Sequence, residues 1–173
     1  EIASRLSQAV DKWKREVLVE LKKEDRPFPV GYPAFPVTYL PARDGVPHGQ
    51  VERSSKAPNC SYFTHWTSLN DAITWEIDVH EAGTYEIEVQ YACPVGDVGA
   101  EVELALGDAR ITALVTEPHD PPARGDENDR VPREGESLVK DFKRLVLGEM
   151  TLPAGQASLR LRALKIPGRQ VME

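Results

Sequence analysis

Two stretches of this chain hold residue types that could do chemistry. The run Asn59-Cys60-Ser61-Tyr62-Phe63-Thr64-His65-Trp66-Thr67 mixes aromatic rings with short polar groups. Sugars are gripped by rings that lie against their apolar C–H faces, helped by a few hydrogen-bonding groups. Tyr62, His65 and Trp66 are therefore carbohydrate-binding candidates. Tyr62 and Trp66 share strand parity while Phe63 and His65 take the other face, so one of the two faces is expected in the core. The second stretch, 116–144, reads TEPHDPPARGDENDRVPREGESLVKDFKR. It is polar, rich in Pro and Gly, and longer than the ~12–15 residues at which unstructured loops become uncommon. It adds His119, Asp120, Asn128 and Arg130 to the sugar-binding candidates. Arg124, Arg130, Arg133 and Lys140 are types that pair with a sulfate or carboxylate. The competing expectation is that they pin the loop through Asp126, Asp129, Glu134 and Asp141.

Other chemistries find less support. The hard oxygens of Asp126-Glu127-Asn128-Asp129 suit a structural calcium, with Asp126 and Asp129 as weak ligand candidates, but the EF-hand spacing is missing. Histidines at 48, 65, 80 and 119 show no zinc-ligand spacing. No G-x-S-x-G nucleophile elbow occurs. Cys60 and Cys93 are too few for a disulfide scaffold. Free thiols and a Cys60–Cys93 disulfide both stay open. A metal-dependent hydrolase using His119, Asp120 and Asp129 is the weakest reading.

The elements that must carry these residues show two periods. Ile2, Leu6, Ala9, Trp13, Val17 and Leu21 recur every three or four residues, which predicts an amphipathic helix over 2–22. Trp13 then needs a neighbouring domain to lie against. Six prolines between 26 and 47 forbid helix and central strand and predict an extended strap, pinned by Phe28, Tyr32 and Phe35. Beyond residue 38 the period is two: Ile73, Trp75, Ile77 and Val79; Tyr85, Ile87, Val89 and Tyr91; Val102, Leu104 and Leu106; Ile111, Ala113 and Val115; Leu159, Leu161 and Ala163. Alternation of this kind marks half-buried antiparallel strands. Gly83 and Gly155 are expected just before strands, and Gly107-Asp108 at a hairpin tip. Many short strands with such turns predict a β-sandwich. The domains are thus a helix over 1–24, a Pro-rich strap over 25–37 and a β-sandwich over 38–173. Both ends look cut through an element, Val171 and Met172 opening a further strand, so a piece of a longer protein is expected.

The chain has 173 residues and a formal charge of −7. That is one domain with an appendage, and the acidic balance argues against nucleic acid as a partner. No apolar run is long enough for a membrane span.

The runs AITWEIDVHEAGTYEIEVQYACP, VELALGD and MTLPAGQASLRLRAL resemble the jelly rolls of carbohydrate-binding modules for galactose-type and related sugars. YPAFPVTYLPARDG, PNCSYFTHW, VTEPHDPPARGDENDRVPREGESLVKDF and LKIPGRQVM are similar to the C-terminal module of bacterial arylsulfatase-type sulfatases. WKREVLVELKKEDRPFPVGYP resembles the last helix of the sulfatase catalytic domain. The resemblance implies a mostly β, galactose-binding-like jelly-roll sandwich. It also implies a parent sulfatase catalytic domain as partner, a sulfated polysaccharide as ligand, and a secreted or periplasmic setting. The family's formylglycine precursor, Cys or Ser in C/S-x-P-x-R, does not carry over. The frames Tyr39-Leu40-Pro41-Ala42-Arg43 and Asp120-Pro121-Pro122-Ala123-Arg124 lack that residue. The expected role is a non-catalytic accessory module that binds carbohydrate or shapes a substrate cleft. The alternative is a purely structural or oligomerising domain without ligand.

Overall fold

The computed structural model describes residues 2–18, 26–57, 59–136 and 138–173. Helix α1 (Ile2–Leu18) forms where the apolar stripe recurs, and Lys12 and Glu16 add an i,i+4 ion pair at 3.8 Å. None of its residues is buried. The expected continuation to residue 22 lies outside the described residues.

Among the described residues after the helix, strands, turns and loops predominate, with short 3-10 turns at Ala42–Asp44 and Val95–Asp97. β5 (Ala72–Val79), β10 (Gly155–Lys165), β7 (Glu101–Leu106) and β8 (Ala109–Leu114) lie side by side in that order, each antiparallel to the next. The other side of β5 takes two short strands end to end. β1 (Phe28–Val30) runs parallel to its second half and β2 (Val46–His48) antiparallel to its first. Each contains a proline, Pro29 and Pro47, and lies at the sheet edge, where a missing N–H is tolerated. The Pro-rich stretch that holds the six prolines, the strap and the residues just after it, therefore supplies edge strands. Facing this sheet is a second, antiparallel pair, β6 (Gly83–Tyr91) and β9 (Lys143–Leu152). A small ladder of β3 (Glu52–Arg53) and β4 (Phe63–Thr64) stands apart.

The two main sheets form a β-sandwich because their alternate residues meet. Ile73, Trp75, Ile77, Leu104, Leu159 and Leu161 from one face and Tyr91, Leu147, Met150 and Leu152 from the other are buried in one cluster. Gly83 and Gly155 open β6 and β10, and Gly107, at φ 57°, turns the β7–β8 hairpin, all as the turn signals predict. One irregularity was not legible. The β6–β9 register shifts between Ile87 and Glu88, leaving Leu147 without a partner but buried. Gly148 beside it sits at φ 120°. This is a β-bulge that turns Leu147 inward.

The 59–67 run departs from simple alternation. His65 has φ 58°, and this left-handed residue flips the chain. Phe63 and Trp66 both point inward, Trp66 with only 2 % of its surface exposed. The expected parity, Tyr62 with Trp66 against Phe63 with His65, is thereby corrected.

The chain around Trp66 is clamped by two devices. Asp71, 1 % exposed, accepts the backbone N–H groups of Gln50 at 2.8 Å, Thr67 at 3.1 Å and Ser68 at 2.8 Å. Val171 N–H donates to the Trp66 carbonyl at 2.9 Å, and Ala92 and Glu173 exchange two backbone bonds at 2.8 Å. Val171 and Met172 are buried, but the segment is held by these isolated backbone bonds and forms no strand, which corrects the expected strand opening.

In the strap, Phe28 packs against the core, and Tyr32 stacks on His80 with centroids 4.1 Å apart. Phe35 does not pin the strap: it is 70 % exposed. The indole N–H of Trp75 donates to the Pro41 carbonyl at 3.1 Å and ties the strap down instead.

Candidate functional site

The long loop is folded back on itself by short cross-links. His119 exchanges two backbone hydrogen bonds with Cys93, and Arg124 exchanges two with Val139. The guanidinium of Arg124 donates to both carboxylate oxygens of Asp141, at 3.2 and 2.5 Å. That bidentate pair holds the Arg124 pKa up and the Asp141 carboxyl below the usual range. Further out, Arg133 bonds Asp129 at 2.5 Å. The loop-pinning expectation thus describes Arg124 and Arg133.

Lys140 is different. Its side chain is only 10 % exposed and its ammonium pairs with Glu173 and, at 3.6 Å, with Asp120. Burial pulls its pKa down, but the hydrogen bond and charge of Glu173 outweigh that and raise it. The same ammonium lies 5.7 Å from the Tyr62 ring centroid, a cation–π contact. Phe142 meets Tyr62 edge-on, with centroids 5.4 Å apart. Burial and the Glu173 charge hold the Tyr62 phenol protonated, with Lys140 opposing. His119 is tethered through Nε2 to the Asp141 carbonyl at 2.5 Å.

The fold therefore brings Tyr62, His119 and Asp120 to one patch at the base of the long loop. Lys140, Arg124, Asp141 and Phe142 complete it. Phe142 was not singled out from the sequence; its signal was an aromatic residue inside an otherwise polar loop, next to a lysine. The remaining candidates go elsewhere. His65 is exposed and pairs through Nδ1 with Glu52 at 2.7 Å and with Thr64 at 2.9 Å. Trp66 is in the core, where no sugar ring can reach its face. Asn128 and Arg130 are exposed in the outer part of the loop. Tyr39, 71 % exposed, and Phe35 are surface rings of the strap that the sequence reading did not nominate for binding.

Among the described residues neither cysteine is set up as a nucleophile. Cys60 is exposed, Cys93 is buried, and neither is in a disulfide, so the disulfide alternative falls. Burial, reinforced by Asp97 and Asp120, pushes the Cys93 thiol up to about 11, which keeps it from becoming a nucleophilic thiolate near neutral pH. Among the described residues no three His, Cys, Asp or Glu side chains converge as metal ligands. Asp129 is committed to Arg133 and stands apart from His119 and Asp120 in the pairing, so the constellation suggested for a hydrolase is not assembled. Among the described residues no helix is long and apolar enough to cross a membrane.

No protein-family model matches the chain, and no curated protein matches it. Among solved structures it is similar to the GH26-CBM35 beta-(1,4)-mannanase of Podospora anserina. The TM-score is 0.48 and the identity 18 %, over 75 % of this chain and 24 % of that one. This chain thus spans about a quarter of the length of that protein.

Proposed function

We propose that this chain is a non-catalytic carbohydrate-binding module that serves a sulfatase-like catalytic domain, exported to the periplasm or beyond. The observation that carries the reading is the patch at the loop base. There a half-buried aromatic pair, Tyr62 and Phe142, lies beside hydrogen-bonding groups held in fixed positions: His119 by the Asp141 carbonyl, Arg124 by the Asp141 carboxylate, Asp120 by Lys140. Sugar sites combine these parts, aromatic rings for C–H contact and preset polar groups for hydroxyls. A tether then raises the substrate concentration seen by a joined catalyst, even when the module binds weakly. The sulfated nature of the glycan rests on the sequence resemblance and on the density of Arg and Lys in the loop.

Native gel electrophoresis through polysaccharide-containing gels tests this. The wild-type chain is retarded by at least one sulfated polysaccharide. Tyr62→Ala and His119→Ala restore most of the free mobility, while His65→Ala does not. Unretarded wild-type protein across sulfated, carboxylated and neutral gels would remove the reading.

A second reading has its own observation. The helix stripe Ile2, Leu6, Val10, Trp13 and Val17 is exposed throughout, and Phe35, Val37 and Tyr39 of the strap are too. Exposed apolar surface of this extent marks docking against another protein surface. Docking by the helix and strap is compatible with sugar binding at the loop base; it becomes the whole function only if no glycan binds.

A further inference from the structure

We propose that the outer face of the first sheet carries a separate oxyanion subsite, formed by Arg160, Thr74 and His48, for a sulfate ester or carboxylate on a glycan. The inference rests on the glycan-binding reading for what carries the oxyanion, and it uses none of the residues of the loop patch.

Three strands build it. Arg160 on β10 and Thr74 on β5 are direct cross-strand partners, and β2 brings His48 opposite Ala72. The four residues line a groove of about 300 Å³, with the buried Ala72 as its floor. His48 Nε2 and Thr74 Oγ1 are 2.9 Å apart. With the imidazole proton on Nε2, the ring donates to Thr74, and the hydroxyl proton is free to turn into the groove.

Arg160 is the telling residue. The other strand arginines are all engaged. Arg53 donates to the Arg43 and Gly45 carbonyls and Arg144 to Glu88. Arg162 donates to Glu103 at 2.7 Å, and Arg110 lies 3.8 Å from the same carboxylate. Arg160 makes no hydrogen bond or ion pair among the described residues, although Glu76 shares its face one residue pair away, opposite Ser158. An exposed guanidinium beside a hydroxyl donor, in a groove the size of one sugar unit, matches the forked geometry that binds sulfate or carboxylate with two parallel hydrogen bonds.

Two experiments on the full chain test it. In the first, sodium sulfate and sodium acetate are titrated at constant ionic strength and followed by amide shifts. Saturable shifts centred on residues 48, 72–74 and 160, lost in Arg160→Gln, are expected. In the second, dextran sulfate, polygalacturonate and dextran are titrated calorimetrically into wild type, Arg160→Gln and Thr74→Val. Arg160→Gln weakens binding of one anionic polymer about tenfold, as loss of a charge-assisted pair implies; Thr74→Val weakens it less. Which polymer responds tells sulfate from carboxylate. If every polymer that binds wild type, with at least one anionic polymer among them, binds Arg160→Gln equally, the subsite is overturned and the glycan reading stands. If no polymer binds, the glycan reading falls, and the salt titration decides alone: groove shifts support an oxyanion site, and their absence overturns it.

Discussion

Single residues carry much of the local order around the candidate surfaces. Asp71 satisfies three backbone donors from two segments, and it does so while almost wholly buried. Asp71→Ala strands those donors and should cost about 3 kcal/mol, read as a lower urea midpoint with an unchanged slope. Gly49 cannot be replaced either: at φ +81° its added Cβ would come 2.1 Å from Asp71 Oδ1. Cys93 gives a pH signature. Its proton is held more tightly in the fold than in the open chain, from 9.0 up to about 11. That contribution is complete below pH 9 and is lost as pH rises through about 11. Tyr62, Tyr91 and Lys140, all raised, act in the same direction at higher pH. Denaturation midpoints should therefore fall between pH 9 and 11, and Cys93→Ala should flatten the early part of that fall; an equally steep decline in the variant would contradict the assignment. Of the single residues, the aromatic content of 59–67 was legible and its facing was not. The facing depends on a left-handed His65, and a histidine gives weaker notice of that conformation than a glycine would.

At the scale of elements, alternation and turn signals determined most of the outcome. β5, β6, β7, β8 and β10 lie where their apolar residues alternate, because only one parity can face the other sheet. The edge placement of β1 and β2 follows from their prolines, but which strand they pair with depends on long-range packing that no local pattern encodes. The β9 bulge escaped for the same reason: a glycine in a strand reads as a weak point, and only the partner register reveals the extra residue. Gly148→Ala tests its importance. A side chain there is strained at φ 120° and meets Ile111 Cδ1 at 3.1 Å, so a loss of about 1–3 kcal/mol is expected from thermal or urea unfolding. Helix α1 gives the opposite expectation. It buries nothing against the sandwich, so removing residues 2–18 should leave the midpoint of the remaining chain unchanged. A clear drop would mean that the helix packs on the sandwich after all.

The whole molecule presents three distinct surfaces. The loop base offers aromatic rings with preset polar groups, the outer sheet offers a guanidinium without a partner among the described residues, and the helix and strap offer apolar side chains. Under the proposed function, two of these serve an anionic glycan and the third a neighbouring protein domain. The chain's overall charge of −7 opposes a polyanion at long range, so attraction must come from the local Arg and Lys groups and should weaken as salt screens them. The measurement that bears most directly on the central claim is a calorimetric titration of the intact chain with a sulfated polysaccharide, the same solution being assayed for released sulfate and shortened chains. Saturable heat with no released sulfate and no cleavage is the predicted result. Flat heats across sulfated, carboxylated and neutral polymers, or any turnover by the chain alone, would contradict it.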